Sequence, residues 1–135
     1  MGNTQKDTEQ RMKIEKHLVI PGKLHYVRGG KPSVECILCA IRDRDEKVVS
    51  LEVMRSGLMI VSLNLYPYNP GHLMIFPSRH LTDIRRLTGE EALEMNRLQK
   101  LSMDVLDELY SPAGYNVGYN IGPTSGASIE HLHCH

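Results

Sequence analysis

His131-Leu132-His133-Cys134-His135 are the last five residues of a 135-residue chain, and the rest is read outward from them. In a β-strand successive side chains point to opposite faces. As a strand, this segment sends three imidazoles to one side and Leu132 and Cys134 to the other. Three of the seven histidines in the chain fall in this one row. Imidazole fills a core poorly and titrates near neutrality, so three in strict alternation point to a site and not to packing. The interleaved Leu132 and Cys134 also set the row apart from a purification tag.

Moving toward the N-terminus, Gly122 to Ser128 is a loop of small residues leading straight into the row. Such a loop can turn backbone N–H groups toward a phosphate. It carries neither a Walker A Gly-Lys-Ser/Thr nor a dinucleotide fingerprint, so the phosphate signal is weak and an ordinary connecting turn is the better reading. Tyr115 to Ile121 alternates as a strand. Before it, Thr88 and Glu91 form a capping box, and Ala92, Met95, Leu98, Met103, Val105, Leu106 and Leu109 recur near the helical period. This predicts one long amphipathic helix over 88–110, ended by Ser111-Pro112-Ala113-Gly114, with Glu94, Lys100, Asp104, Asp107 and Glu108 outward. Leu51–Met54, Leu58–Leu63 and His72–Pro77 read as short strands, the first two joined through Arg55-Ser56-Gly57. Arg42–Lys47 reads as a charged turn or the end of a short helix. Strands in a meander, with a helix to cover one face, give an α+β class. Residues 1–16 form a polar arm, helical or disordered, ahead of a single domain over 17–135, in which Tyr26 and Val27 cover a core edge.

Lys plus Arg and Asp plus Glu number 16 each, a formal net charge of zero. That balance gives no footprint for nucleic acid or an anionic membrane, though a small phosphorylated ligand needs only a local site. No N-terminal apolar run reads as a signal peptide and none is long enough to span a bilayer, so the expected setting is cytoplasmic and reducing. Three cysteines do not make a disulfide framework there. Cys36-Ile37-Leu38-Cys39 is then half of a metal site, a redox pair, or two buried thiols. A metal needs two further ligands from elsewhere in the chain. His80, in the loop after a strand, is by itself a surface histidine or a ligand.

Taken together, these residues resemble the histidine triad (HIT) superfamily of nucleotidyl hydrolases and transferases, whose signature is His-φ-His-φ-His-φ-φ. Three stretches carry the likeness: Cys36 to Cys39, Asn64 to His80, and Asn116 to His135. Within the second, Tyr66 to Met74 (Tyr-Pro-Tyr-Asn-Pro-Gly-His-Leu-Met) is similar to the branch that cleaves diadenosine polyphosphates. The resemblance implies an antiparallel sheet of about five strands, one long helix and a short one, and a homodimer. It implies that His133 attacks the α-phosphorus of a nucleotide. The backbone carbonyl of His131 would then hold the other nitrogen of the His133 ring, while His135 contacts the same phosphate. It makes Asn64, Asn120 and Ser128 substrate-binding positions, and Cys36, Cys39, His80 and His131 the ligands of a structural zinc. An adenine nucleotide, such as a dinucleoside polyphosphate, is the implied substrate.

Members of that family continue beyond the triad with a strand ending in Pro-Arg and a further tail, whereas this chain stops at His135. A terminal carboxylate beside the phosphate site would oppose an anionic substrate by a salt-screened amount. Two other readings stand beside catalysis by His133. One is a zinc-stabilised module that binds a nucleotide or partner without turnover. The other is a metalloenzyme in which His131, His133 and His135 together hold a catalytic metal.

Overall fold

The structure, a computed structural model, describes residues 3–18, 33–64 and 71–135. Tyr26, Val27 and the stretch 65–70 lie outside the described residues. Helix α1 (Asn3–Leu18) is followed by α2 (Ile37–Asp43), strands β1 (Glu52–Arg55), β2 (Met59–Leu63) and β3 (Leu73–Pro77), and then α3 (Gly89–Tyr110). The strands form an antiparallel sheet in the order β1-β2-β3.

The turn between β1 and β2 is held by one side chain. Ser56 Oγ accepts from the N–H groups of Leu58 and Met59, and the Ser56 N–H donates to the Met59 carbonyl. β2 and β3 pair in unbroken register from Met59↔Pro77 to Leu63↔Leu73. Apart from Ser62, whose hydroxyl donates to the Leu63 carbonyl, their residues are apolar because both faces of the sheet are covered. Met59, Val61, Leu73 and Ile75 meet Met95, Leu98, Leu101 and Val105 of α3. The alternate residues Ile60, Met74 and Phe76 meet Leu38, Ala40 and Ile41 of α2. A slip in register between Glu52 and Met54 lets both Val53 and Met54 reach the α3 side.

Helix α3 starts as the sequence predicts. Thr88 is its N-cap, with both arms of the capping box made, and Ser111 closes it in a left-handed conformation (φ 44°). Its buried stripe is shifted from the predicted one: Ala92 is exposed, whereas Glu91, Leu101 and Ser102 are buried. α1 is helical and packs on α3 and β1, with ion pairs from Asp7 to Arg97 and from Arg11 to Glu108.

About five strands are expected and three are found among the described residues. The difference lies at the histidine row. Cys134 exchanges N–H and C=O with Ile75 of β3, at 2.8 Å each, and His135 does the same with Gly118 at 2.9 and 2.8 Å. The row therefore extends the sheet beyond β3, and 118–119 extends it once more, but each contact is a single rung. Tyr115–Ile121 and the row are extended neighbours joined by isolated bridges, not the continuous ladders their alternation predicts.

Candidate active site and metal centre

Alternation still sorts the row by face. Cys134 belongs to the core under α3. His131, His133 and His135 therefore share the face on which Met74 and Phe76 pack against α2. His131 is fully buried and His133 is 9 % exposed.

His131 is committed at both ring nitrogens. Its Nε2–H donates to the Pro77 carbonyl at 2.8 Å, which leaves Nδ1 as a lone pair. That Nδ1 lies 3.5 Å from Cys36 Sγ and 3.5 Å from Cys39 Sγ. Cys39 Sγ is also 3.3 Å from His80 Nδ1. The four ligand atoms of Cys36, Cys39, His80 and His131 all lie within 4.8 Å of one another. In a tetrahedral zinc site, bond lengths of about 2.3 Å to sulfur and 2.0–2.1 Å to nitrogen put neighbouring S and N ligands about 3.5 Å apart. The observed S···N separations match, so the residues present fit a zinc ion.

The protonation chemistry agrees. Burial pushes the His131 imidazole down to about 4, so its ring is neutral at pH 7 and able to ligate. Burial, together with the neighbouring Cys36, pushes the Cys39 thiol up to about 11. A bound cation would favour the thiolate form of Cys39 that burial opposes.

A local helix start brings the two cysteines together, and no such start is predicted at Cys36. Cys36 is the N-cap of α2, and its Sγ accepts from the Cys39 N–H at 3.4 Å. Cysteine is not among the usual N-cap residues, which is why the sequence pattern does not mark a helix there.

His133 faces a different task. Its Nδ1–H donates to the His131 carbonyl at 2.9 Å, which frees Nε2 as a lone pair. His135 meets the His133 ring edge-on, with centroids 5.7 Å apart, and meets His72 in the same way at 5.8 Å. Burial lowers the imidazoles of both His135 and His72, and the neighbouring histidines add to the effect. The three triad histidines do not converge on one metal: His131 turns to the thiols and His133 to a carbonyl.

His72 is the residue that the sequence reading passes over, since it is taken there only as the start of a strand. Its parity with Met74 and Phe76 puts it on the triad face, and that spacing is the signal that finds it. Gly71 sets it there. Gly71 has φ +80°, and a Cβ on it would sit 2.9 Å from Leu106 Cδ2 of α3. Asn64 lies beside His72, its Nδ2 3.4 Å from the ring, and the two residues are tied by an N–H to carbonyl bond. Asn120 follows the Tyr119 rung, and Ser128 is exposed in the loop before the row. Neither side chain makes a hydrogen bond to another described residue.

A HIT domain family model matches residues 46–135. An AP-4-A phosphorylase of Mycobacterium tuberculosis is 43% identical over 86 residues, covering 63% of this chain and 44% of the relative. An asymmetrical bis(5'-nucleosyl)-tetraphosphatase of Schizosaccharomyces pombe is 27% identical over 81 residues, covering 60% and 44%. This chain thus spans less than half the length of either relative. Among solved structures, a Zn-bound histidine triad family protein of Mycobacterium smegmatis superposes with a TM-score of 0.66 at 21% identity, covering 74% of this chain and 71% of that one. That likeness concerns the fold. With the family match spanning two thirds of the chain and ending on the histidine row, the chain belongs to the histidine triad (HIT) family.

Proposed function

We propose that this domain cleaves dinucleoside polyphosphates at an α-phosphate through a nucleotidyl-histidine intermediate. The observation that carries the reading is the 2.9 Å bond from His133 Nδ1–H to the His131 carbonyl. It fixes the tautomer in which Nε2 is the nucleophilic lone pair. Nε2 attacks the α-phosphorus and forms a P–N bond. The P–O bond to the remaining phosphates breaks, and its electron pair leaves with that oxygen. Water or inorganic phosphate then attacks the same phosphorus, and the P–N pair returns to Nε2. His135, next to His133, stabilises charge on the phosphoryl oxygens. Asn120 and Ser128, whose side chains have no other described partner, bind the phosphates or leaving group, and Asn64 binds on the ribose side.

Cys36, Cys39, His80 and His131 would hold a zinc ion, whose contribution would be structural: as a ligand, the His131 ring, and so its carbonyl, would be fixed in place. The names of the relatives support an adenine dinucleotide as substrate and leave hydrolysis and phosphorolysis open. We expect a homodimer in a reducing, cytoplasmic setting. Among the described residues no helix is long and apolar enough to cross a membrane.

The test is product analysis on diadenosine tetraphosphate, with and without inorganic phosphate. AMP plus ATP identifies a hydrolase; ADP plus ATP that appears only with phosphate identifies a phosphorylase. His133→Ala should lose turnover by roughly a thousandfold or more while keeping its zinc. Turnover equal to wild type in that variant would end the mechanism.

A further inference from the structure

Of the two histidines in the metal set, His131 is anchored through its ring by the Pro77 carbonyl. His80 is exposed, and among the described residues its ring meets only Cys39 Sγ and the edge of His131. Among the described residues no further hydrogen bond or ring contact holds it, so its aim depends on the backbone that carries it. That backbone, residues 78–81, is pinned at several points. The Ser78 N–H donates to the Leu58 carbonyl, and the Leu81 carbonyl accepts from the Leu132 N–H at 2.7 Å. Arg42 of α2 donates to the Ser78 carbonyl at 2.7 Å.

The remaining tie is Arg79, immediately before His80. Its Nη2 donates to Glu91 Oε1 at 2.8 Å and to the Arg86 carbonyl at 2.9 Å, and its Nε lies 3.4 Å from Glu91 Oε2. Glu91 is a carboxylate only 3 % exposed, on the first turn of α3. A capping box needs one acceptor for the Thr88 N–H and does not need a buried charge. Burying an ion is costly unless it is paired, so the second partner is what accounts for the position of Glu91.

We propose that Arg79 and Glu91 are a positioning pair for the metal centre. Their ion pair fixes the segment 78–81 against the start of α3, so that the His80 ring reaches the set formed by Cys36, Cys39 and His131. This rests on the zinc reading of that set. Partners of metal ligands commonly carry ten- to hundredfold in affinity, here delivered through backbone placement.

The experiment is zinc competition with a chromophoric chelator on the full chain, in wild type, Glu91→Gln, Arg79→Gln, Arg79→Lys and Thr88→Ala. Glu91→Gln keeps an acceptor for the Thr88 N–H and removes only the charge, so the fold is preserved. Glu91→Gln and Arg79→Gln should weaken zinc binding roughly ten- to hundredfold. Arg79→Lys, which keeps the cation without the fork, should recover part of that loss. Thr88→Ala removes the cap hydroxyl and leaves the pair intact, so its melting temperature should fall while zinc affinity stays within about twofold of wild type. With cobalt in place of zinc, the visible bands of the tetrahedral site should change in Glu91→Gln and not in Thr88→Ala. Zinc held equally by wild type and both pair variants overturns the positioning role. So does an equal loss in Thr88→Ala. A wild type that binds no zinc overturns the reading of the centre itself, and the pair's role with it.

Discussion

On its α3 face the sheet lies against a continuous apolar stripe: Val53, Met54, Met59, Val61, Leu73 and Ile75 meet Met95, Leu98, Leu101 and Val105, with Cys134 closing the end. On its α2 face the apolar cluster is smaller, centred on Phe76, Ile60 and Leu38, and it stops at Cys36, Cys39, His80 and His131. A seven-residue helix buries too little to hold itself in place. The first face is stabilised by removing hydrocarbon from water, at roughly 1.5–3 kcal/mol for each fully buried large side chain. The second needs its donor atoms satisfied. One sheet thus joins a face closed by hydrocarbon to a face that ends in the four donor side chains of the proposed zinc site. His133, the proposed nucleophile, sits on that second face, two residues from the proposed ligand His131, whose backbone carbonyl holds its ring.

Removing zinc is the strongest way to split the two. Where free zinc exceeds its dissociation constant a thousandfold, binding adds about 4 kcal/mol to stability. Chelation should therefore lower the melting temperature. It should also raise amide hydrogen exchange in α2 and the 78–81 segment, while the α3 amides from Leu98 to Val105 stay protected. Parallel loss of protection in α3 would show that the faces are one cooperative unit. The converse experiment is Leu98→Ala, which opens a cavity on the apolar face at about 3 kcal/mol. Zinc affinity should stay within about twofold of wild type, since Leu98 belongs to the α3-face cluster and none of the four candidate ligands does. Zinc affinity that falls along with stability would contradict the comparison.

What the sequence shows follows the same division. The start and length of α3 are local properties: a capping box three residues wide and an apolar period repeated for six turns. They can be read without knowing where anything else lies. β2 and β3 are legible as apolar runs for the same reason. The metal set is not local. Cys39 is 41 residues from His80, and Cys36 is 95 from His131, so spacing alone leaves the Cys-x-x-Cys ambiguous and only the family pattern joins the four. α1 is open to two readings because the ion pairs that tie it to α3, Asp7–Arg97 and Arg11–Glu108, join residues 90 and 97 apart. Glu91 is read as an ordinary capping residue. Its burial depends on Arg79 arriving from the other side of a loop, which no helical pattern contains. His72 is hidden among apolar neighbours, and only the parity of β3 reveals its face.

The smallest effect, in the acid range, separates an ion pair with a buried carboxylate from one on the surface. The Arg79 guanidinium, hydrogen-bonded to Glu91, holds that carboxyl below its usual range against the opposing pull of burial, and the Thr88 N–H adds to the lowering. A carboxyl whose folded pKa is depressed contributes stability that is fully present above its unfolded value, about 4.3, and is lost as pH falls through the folded one. Because the Arg79 side chain is half exposed, solvent screening keeps the contribution small. In zinc-free protein, where thiol protonation plays no part, the stability gap between wild type and Glu91→Gln should be widest near neutrality and narrow below about pH 4. Asp83 is pushed down to about 2, chiefly by the hydrogen bond from the Arg85 side chain, and so also loses its contribution in acid. Arg85, however, is 85% exposed, and its ion pair is screened by salt. Denaturant titrations at low and high salt should therefore shrink the effect of Asp83→Asn and leave that of Glu91→Gln. A gap for Glu91→Gln that is constant with pH would mean that its charge is not what stabilises the start of α3.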